Sequence, residues 1–333
     1  MTRTAVLGSG AWGTTFAAVL ADAGQDVVLW GRDPEVCAQI ERQHRNSRYL
    51  PGVRLPEAVR ATADAEEALR DAELVFVAIS SQHARATLTP FAELLAPGAV
   101  VVSLMKGVEL GTDQRMSQML GEVFHLPPGR LAVVSGPNLA REIAEHQPTA
   151  TVVASEDERT AERVAQACAN PYFRPYTNTD VIGVELCGAV KNVIALAVGI
   201  SQGRGLGYNT MATVITRGLA EITRLGLALG ADASTFPGLA GMGDLVATCA
   251  SPLSRNHTLG VHMGQGLTLE EAIVATGGTA EGVKTAESVH QLASSVGVEM
   301  PITEAVRDLL NGTIAIEDLA PRLLARPRKD ERG

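Results

Sequence analysis

The amino-acid sequence predicts an α/β fold, with a doubly wound, mainly parallel sheet in the first half and an all-helical region in the second. Up to about residue 180, short β-rich runs alternate with helical stretches: TAVLG at 4–8, DVVLW at 26–30, LVFVAI at 74–79, AVVVSL at 99–104, LAVVS at 131–135 and ATVVA at 150–154. That alternation is the pattern of a sheet covered by helices on both faces. Beyond it the β-rich runs stop. Between Asn209 and Leu229, Met211, Val214, Ile215, Leu219, Ile222 and Leu229 recur at helical spacing, and Gly230 is placed to end the helix. The proline- and turn-rich stretch NPYFRPYTNTD (170–180) joins the halves and reads as a last sheet edge and junction. Two domains are therefore expected, 1–180 and 181–333.

The first strand runs into GSGAWG, with Gly8, Gly10 and Gly13 in G-x-G-x-x-G spacing and a helix expected from about Thr14 to Ala23. Gly8 allows the tight turn, Gly10 lets backbone approach a pyrophosphate, and Gly13 lets helix lie close to strand. The helix start offers free N–H groups to the phosphates. At the first strand-to-helix turn of a βαβ unit, this triplet points to a Rossmann-type dinucleotide-binding domain. The second strand, DVVLW, is followed by Gly31, Arg32 and Asp33. An arginine there can pair with a ribose 2′-phosphate, so NADPH is the expected cofactor, while Asp33 keeps NADH possible.

Lys106 follows the strand AVVVSL, at the carboxyl end where ligands of open α/β sheets bind. It suits a bound anion or carbonyl, or is an ordinary solvated loop lysine. Further on, VELCGAVKNVI (184–194) places Lys191 and an asparagine in a largely apolar helix. Burial among Leu186, Val190, Val193, Ile194 and Leu196 lowers a lysine's pKa and fits it for proton transfer. The competing reading is a lysine that snorkels to solvent or pairs with a carboxylate. Asp244, among glycines in GLAGMGD, is either a turn or cap residue or a partner for Lys191. Ser254, Arg255 and Asn256 open a helix, either as a plain cap or as a phosphate-monoester site of hydroxyl, guanidinium, amide and backbone N–H groups.

Composition narrows the function classes. The 333 residues are 46% hydrophobic, enough for two ordinary domains, and the net charge is −9 with no basic block longer than the RPRKDER tail. Neither nucleic acid nor an anionic membrane surface is expected as a partner. Cys37, Cys168, Cys187 and Cys249 are far apart, which fits reduced, mostly buried thiols rather than disulfides or zinc. The histidines form no H-x-x-x-H pair, so no metal is expected. The apolar run at the start is too short for a signal core or a membrane span, so a cytoplasmic protein is expected.

GSGAWGTTFA, LWGRD, SLMKGVE, SGPNLAREI, GVELCGAVKNVIALAVGI, GLAGMGDLVATC, SRNHTLG, GGTAEGVKTA and VEMPITEAV occur in this order. Together they resemble the bacterial NAD(P)-dependent glycerol-3-phosphate dehydrogenases, from Val6 to about Arg328. The resemblance implies hydride transfer between nicotinamide and C2 of the glycerol phosphate skeleton. Dihydroxyacetone phosphate is thereby reduced to sn-glycerol 3-phosphate for phospholipid synthesis, in a cleft between the domains. It implies Lys191 as proton donor and acceptor. Lys106 would touch both substrate and cofactor, and Gly136, Asp244, Ser254, Arg255 and Asn256 would contact substrate. Ala11, Trp12, Arg32, Tyr49, Ala140, Arg255, Thr279 and Glu281 would contact the cofactor, and a homodimer is expected. Two positions depart from the family's pattern: Ser80 stands where a proline is common, and Asn138 where threonine or serine is common. They bear on the local cofactor fit.

Two rival functions remain at this stage. A 3-hydroxyacid or ketoacid reductase shares the glycine loop and a lysine on a central helix, but does not require Ser-Arg-Asn at a helix start together with Lys106. A non-catalytic NADPH sensor would not require Lys191, Asp244, Lys106 and Arg255 together.

Overall fold

The β-branched runs become strands of one eight-stranded sheet. The computed structural model describes residues 2–277, 280–319 and 322. The strands are β1 (Arg3–Leu7), β2 (Asp26–Trp30), β3 (Val59–Thr62), β4 (Leu74–Val77), β5 (Val100–Ser103), β6 (Leu131–Ser135), β7 (Thr149–Ala154) and β8 (Phe173–Asn178). Their order is β3-β2-β1-β4-β5-β6-β7-β8, and every neighbouring pair is parallel except β6 and β7. The first six follow the 3-2-1-4-5-6 order of a doubly wound dinucleotide-binding sheet, so the chain reverses its winding between β1 and β4. β1 and β4 are buried on both faces, which is why their sequences read as continuous apolar runs instead of alternating ones.

Two strands depart from the sequence expectation. β3 pairs with β2 from Val27↔Val59 to Trp30↔Thr62; its sequence, VRAT, has an exposed arginine and too few apolar residues to announce a strand. The 170–180 junction does hold the sheet edge: β8 runs parallel to β7 with Pro175 within it, and an edge strand tolerates the missing N–H.

Helices cover both faces: α1 (Ala11–Asp22), α2 (Pro34–Gln43), α3 (Ala65–Leu69), α4 (Ser81–Leu88), α5 (Met116–Val123), α6 (Ala140–Ala144) and α7 (Glu158–Cys168). After β8 come α8 (Val181–Gly203), α9 (Tyr208–Ala228), α10 (Asp244–Ala250), α11 (Arg255–Gly264), α12 (Leu269–Thr276), α13 (Glu281–Ser295) and α14 (Pro301–Leu310), with no strand among the described residues. Gly230, at φ 91°, lies just past α9 in the left-handed conformation expected of a helix stop.

α8 is the axis of this second region, packed by α9, α10, α11, α13 and α14. It is long and apolar enough to cross a membrane by composition, but 94% of its most apolar window is buried inside the protein, as in a core helix. Its closest neighbour is α11, and the cause is a pair of small-residue stripes. A Cβ on Gly199 would stand 2.1 Å from the His257 carbonyl oxygen, one on Gly260 2.4 Å from that of Leu196, and one on Gly264 2.4 Å from that of Ile200. The two backbones therefore touch, and only glycine permits it. This crossing fixes where the first turn of α11 sits relative to the middle of α8.

Candidate active site

At the end of β1 the chain turns at Gly8, whose φ is 124° and whose Cβ would stand 2.4 Å from the Ala78 carbonyl oxygen. Gly13 is equally constrained, since its Cβ would meet the Gly8 carbonyl oxygen at 1.9 Å. Gly10 is different: a Cβ there meets nothing within 4 Å. Two glycines are thus required by the protein's own packing, and the third opens the backbone to space in front of the α1 N-terminus. α1 begins at Ala11, three residues before the sequence suggests, so Ala11 and Trp12 belong to its first turn. The helix-start N–H groups there have no helical partners. The Trp12 Nε1–H is buried without a hydrogen-bond partner, an orphan donor beside the loop. These features fit a dinucleotide pyrophosphate on the glycine loop.

Asn46 secures the loop from the other side. Its amide donates to the Ser9 carbonyl at 2.9 Å and to Thr14 Oγ1 at 2.8 Å, fully buried. Thr15 Oγ1 donates to the Ala140 carbonyl at 3.2 Å, tying α6 to α1. Asn138 donates to Thr151 Oγ1 at 3.0 Å, while its Oδ1 is buried without a partner; Ser80 stands just before α4 and makes no side-chain cap. At the end of β2 Arg32 is exposed. Asp33 is committed elsewhere, accepting from the Glu35 N–H at 3.0 Å and pairing with Arg48 at 2.8 Å. The Arg48 guanidinium also lies 5.2 Å from the centre of the Tyr49 ring.

The second cluster is assembled from three distant segments. Lys106, beyond β5, donates to Asp244 Oδ2 at 2.7 Å and to the Gly136 carbonyl at 3.1 Å. Lys191, midway along α8, donates to Asp244 Oδ1 and, at 2.7 Å, to Thr248 Oγ1. With Lys191 5% and Asp244 1% exposed, the snorkelling reading is excluded and the carboxylate partner identified. Two of the three Lys191 N–H bonds are used, leaving one donor. Burial pulls the Lys191 pKa below the usual lysine value; Asp244 opposes this and Lys106 adds to it. Two lysines converge on one carboxylate, so with both protonated positive charge exceeds that of Asp244, which suits an anionic substrate.

Asp244 is both cap and partner: its backbone N–H closes a π-helical turn at Leu239–Gly243, it is the first residue of α10, and its side chain is left to the lysines. Such turns, rare elsewhere, recur at functional sites. Thr248, four residues on and hence on the same helical face, was not singled out in the sequence, although the i, i+4 spacing was there to be used.

Ser254 caps α11, its hydroxyl accepting from the His257 N–H at 3.3 Å. Asn256 Oδ1 accepts from the Gly282 N–H at 2.9 Å and its amide donates to Asn192 Oδ1 at 3.0 Å. Asn192 in turn reaches the Lys106 carbonyl at 3.5 Å. Ser254 and Asn256 each use only part of their capacity within the protein: the Ser254 hydroxyl proton and one Asn256 amide N–H stay available to an anion, alongside the exposed Arg255 guanidinium and the helix-start N–H groups. Glu281 opens α13; enclosure pushes its carboxyl pKa up, against the pull of Arg255, Lys106 and Lys191. Thr279 lies outside the described residues, as does the charged tail. All four cysteines are buried and free.

Comparison with known proteins places the chain in a family. Residues 3–161 match the family described as NAD-dependent glycerol-3-phosphate dehydrogenase N-terminus, and 180–321 its C-terminus counterpart. The chain is 58% identical to a glycerol-3-phosphate dehydrogenase [NAD(P)+] of Streptomyces griseus, over 99% of this chain and 98% of that one. A Thermobifida fusca protein of the same name is 56% identical over 100% of this chain and 99% of its own. The crystal structure of glycerol-3-phosphate dehydrogenase from Coxiella burnetii superposes with a TM-score of 0.92 at 36% identity, covering 97% of this chain and 98% of that one. With both halves of its sequence matched and its fold shared end to end, the chain belongs to the NAD-dependent glycerol-3-phosphate dehydrogenase family.

Proposed function

We propose that the protein catalyses the reversible reduction of dihydroxyacetone phosphate to sn-glycerol 3-phosphate with NADPH, NADH serving as an alternative, and so supplies glycerophospholipid synthesis. The observation that carries this reading is the pair of lysines on one buried carboxylate, next to an arginine at a helix start. When bound, the nicotinamide supplies the hydride for C2 of the ketone. Lys191 holds the proton that the developing alkoxide takes, through the N–H that Asp244 and Thr248 leave unused. Asp244 orients that ammonium, and Lys106 adds the positive charge that stabilises the oxyanion. Ser254, Arg255, Asn256 and the N-terminus of α11 hold the phosphate.

In the same proposal residues 1–180 carry the cofactor and 181–333 the substrate-binding helices. Gly8, Gly10, Ala11, Trp12 and Gly13 receive the pyrophosphate region, Arg32 and Tyr49 the adenosine end, and Ala140, Thr279 and Glu281 further parts of the cofactor. Gly136 contacts substrate through the same turn that receives Lys106. The working unit is a cytoplasmic homodimer.

The deciding experiment follows NADPH oxidation with dihydroxyacetone phosphate, with unphosphorylated dihydroxyacetone and with ketoacids. Turnover confined to the phosphate ester supports the reading. Equal or faster turnover of a ketoacid replaces it with the ketoacid-reductase alternative, and tight NADPH binding with no turnover on any of them replaces it with a sensor.

A further inference from the structure

α8 carries, besides Lys191, a carboxyl side chain that the reaction does not use. Glu185 lies six residues before Lys191, about 9 Å along the helix axis. It is buried and aimed away from the lysines, at the start of α5. There it accepts from the Ser117 N–H at 2.7 Å, from Ser117 Oγ at 2.6 Å and from Arg115 Nη1 at 2.5 Å. A carboxylate on the central helix thus caps a helix that packs on the sheet.

The segment it grips is the one that bears Lys106. Val108, two residues past Lys106, bridges antiparallel to Arg115, two residues before Ser117. The Glu109 N–H closes the same loop on the Gln114 carbonyl at 2.9 Å. Residues 106–117 therefore form a closed hairpin with Lys106 at one end and the Glu185 clamp at the other. We propose that Glu185 is a positioning residue for the redox step: by gripping this hairpin it sets the register between the segment bearing Lys106 and the helix bearing Lys191, so that both ammonium groups meet on Asp244. This rests on the dehydrogenase reading above.

The consequence is specific. When the grip is lost, Lys106 drifts from Asp244, and Lys191 gains the whole carboxylate and loses a neighbouring positive charge. Its titration then moves to higher pH. The titratable and charged groups around Lys191 and its partner Asp244 are Cys187 on α8 itself, Asp244 and Cys249 on α10, Lys106 on the hairpin and Glu281 on α13; of these, the hairpin alone is gripped by Glu185.

The test compares Glu185→Ala, Glu185→Gln and Ser117→Ala with wild type, with Glu221→Gln as control. Glu221 is another buried carboxyl that caps a distant helix, accepting from the Ile302 N–H at 2.7 Å, and has no part in the site. Three quantities are read: kcat and KM for dihydroxyacetone phosphate, NADPH affinity by equilibrium titration, and the pH dependence of Lys191 acetylation followed by mass spectrometry without substrate. In Glu185→Ala, kcat falls about ten- to hundredfold, as for an ångström-scale misplacement of a reacting group. KM rises, NADPH affinity holds, and the acetylation midpoint moves up. Glu185→Gln and Ser117→Ala show the same pattern more weakly. Glu221→Gln lowers thermal stability without moving the midpoint. Should Glu185→Ala fail to fold, the two milder variants decide. An unmoved midpoint with wild-type kcat in the variants that fold overturns the proposal, even if they melt earlier. Absence of turnover in wild type would instead defeat the dehydrogenase reading, and the acetylation midpoint would still decide on Glu185.

Discussion

The glycine loop and the lysine–carboxylate cluster, the two candidate anion sites, are built in opposite ways. The loop spans six consecutive residues and works through backbone: a forced turn at Gly8, an opening at Gly10 and a helix end. The cluster works through side chains, and its Lys106–Asp244 contact joins residues 138 apart in sequence. A backbone site of this kind takes most of its geometry from adjoining strand, turn and helix, with Asn46 and the Ala78 backbone as its distant supports. A side-chain site inherits its geometry from every contact that orients the segments bringing it together. Substitutions in the two regions should therefore fail differently.

The largest effect is expected in the cluster. Lys191→Ala removes the proposed proton donor and should lower kcat roughly a hundredfold to ten-thousandfold, leaving NADPH affinity almost unchanged because the glycine loop does not depend on it. Wild type adds a pH signature. Lys191 must be an ammonium to donate, and burial lowers its pKa, so the reduction rate should fall as pH rises through a value below that of an ordinary lysine. Steady-state kinetics across pH with an independent NADPH titration checks both; a mutant with near-normal turnover would remove Lys191 from the mechanism.

Packing of the cluster's frame gives the next effect. At Gly260, in the crossing of α11 on α8, an added methyl would meet the Leu196 carbonyl oxygen at 2.4 Å, and backbone cannot step aside as a side chain can. Gly260→Ala should destabilise the protein by about 2–3 kcal/mol, as overpacking does. It should also raise KM for dihydroxyacetone phosphate, because α11 carries Arg255. Thermal melting and KM together test this. A mutant as stable as wild type would show that the helices separate at little cost.

The same contrast explains what the sequence disclosed. The loop was legible because its spacing and its place after a strand are local signals, and the structure changes only where α1 begins. The cluster was legible in parts: Lys191 stood out as a charge on an apolar helix, yet its link to Asp244 was one option among several, and family resemblance supplied the rest. Asp244 reads as a turn residue in GMGD because nothing in one-dimensional spacing signals a π turn. Asn46 and Glu185 escaped notice for a related reason. Their partners lie 32 to 70 residues away, and a polar residue that caps a distant backbone looks like any surface residue until the segments meet. β3 was missed because pairing with β2, not its own apolar content, makes it a strand.

The smallest expected effect sharpens the comparison at the loop's outer edge, where recognition passes from backbone to exposed side chains. If Arg32 binds the 2′-phosphate of NADPH, Arg32→Ala should raise KM for NADPH about tenfold, the low end for a charge-assisted bond because the site is open to water, and leave KM for NADH unchanged. Arg48 acts one step removed. It pairs with Asp33 at 2.8 Å, and so neutralises the carboxylate next to Arg32, which would otherwise repel a 2′-phosphate and accept from a 2′-hydroxyl. An exposed pair of this kind is worth about 0.2–1 kcal/mol. Arg48→Ala should accordingly shift the NADPH-to-NADH ratio of kcat/KM towards NADH by about two- to fivefold, with kcat for either cofactor intact. A ratio unchanged by Arg48→Ala but lowered by Arg32→Ala would confine cofactor choice to the arginine at the strand end; a ratio unchanged by both would place it elsewhere in the adenosine pocket.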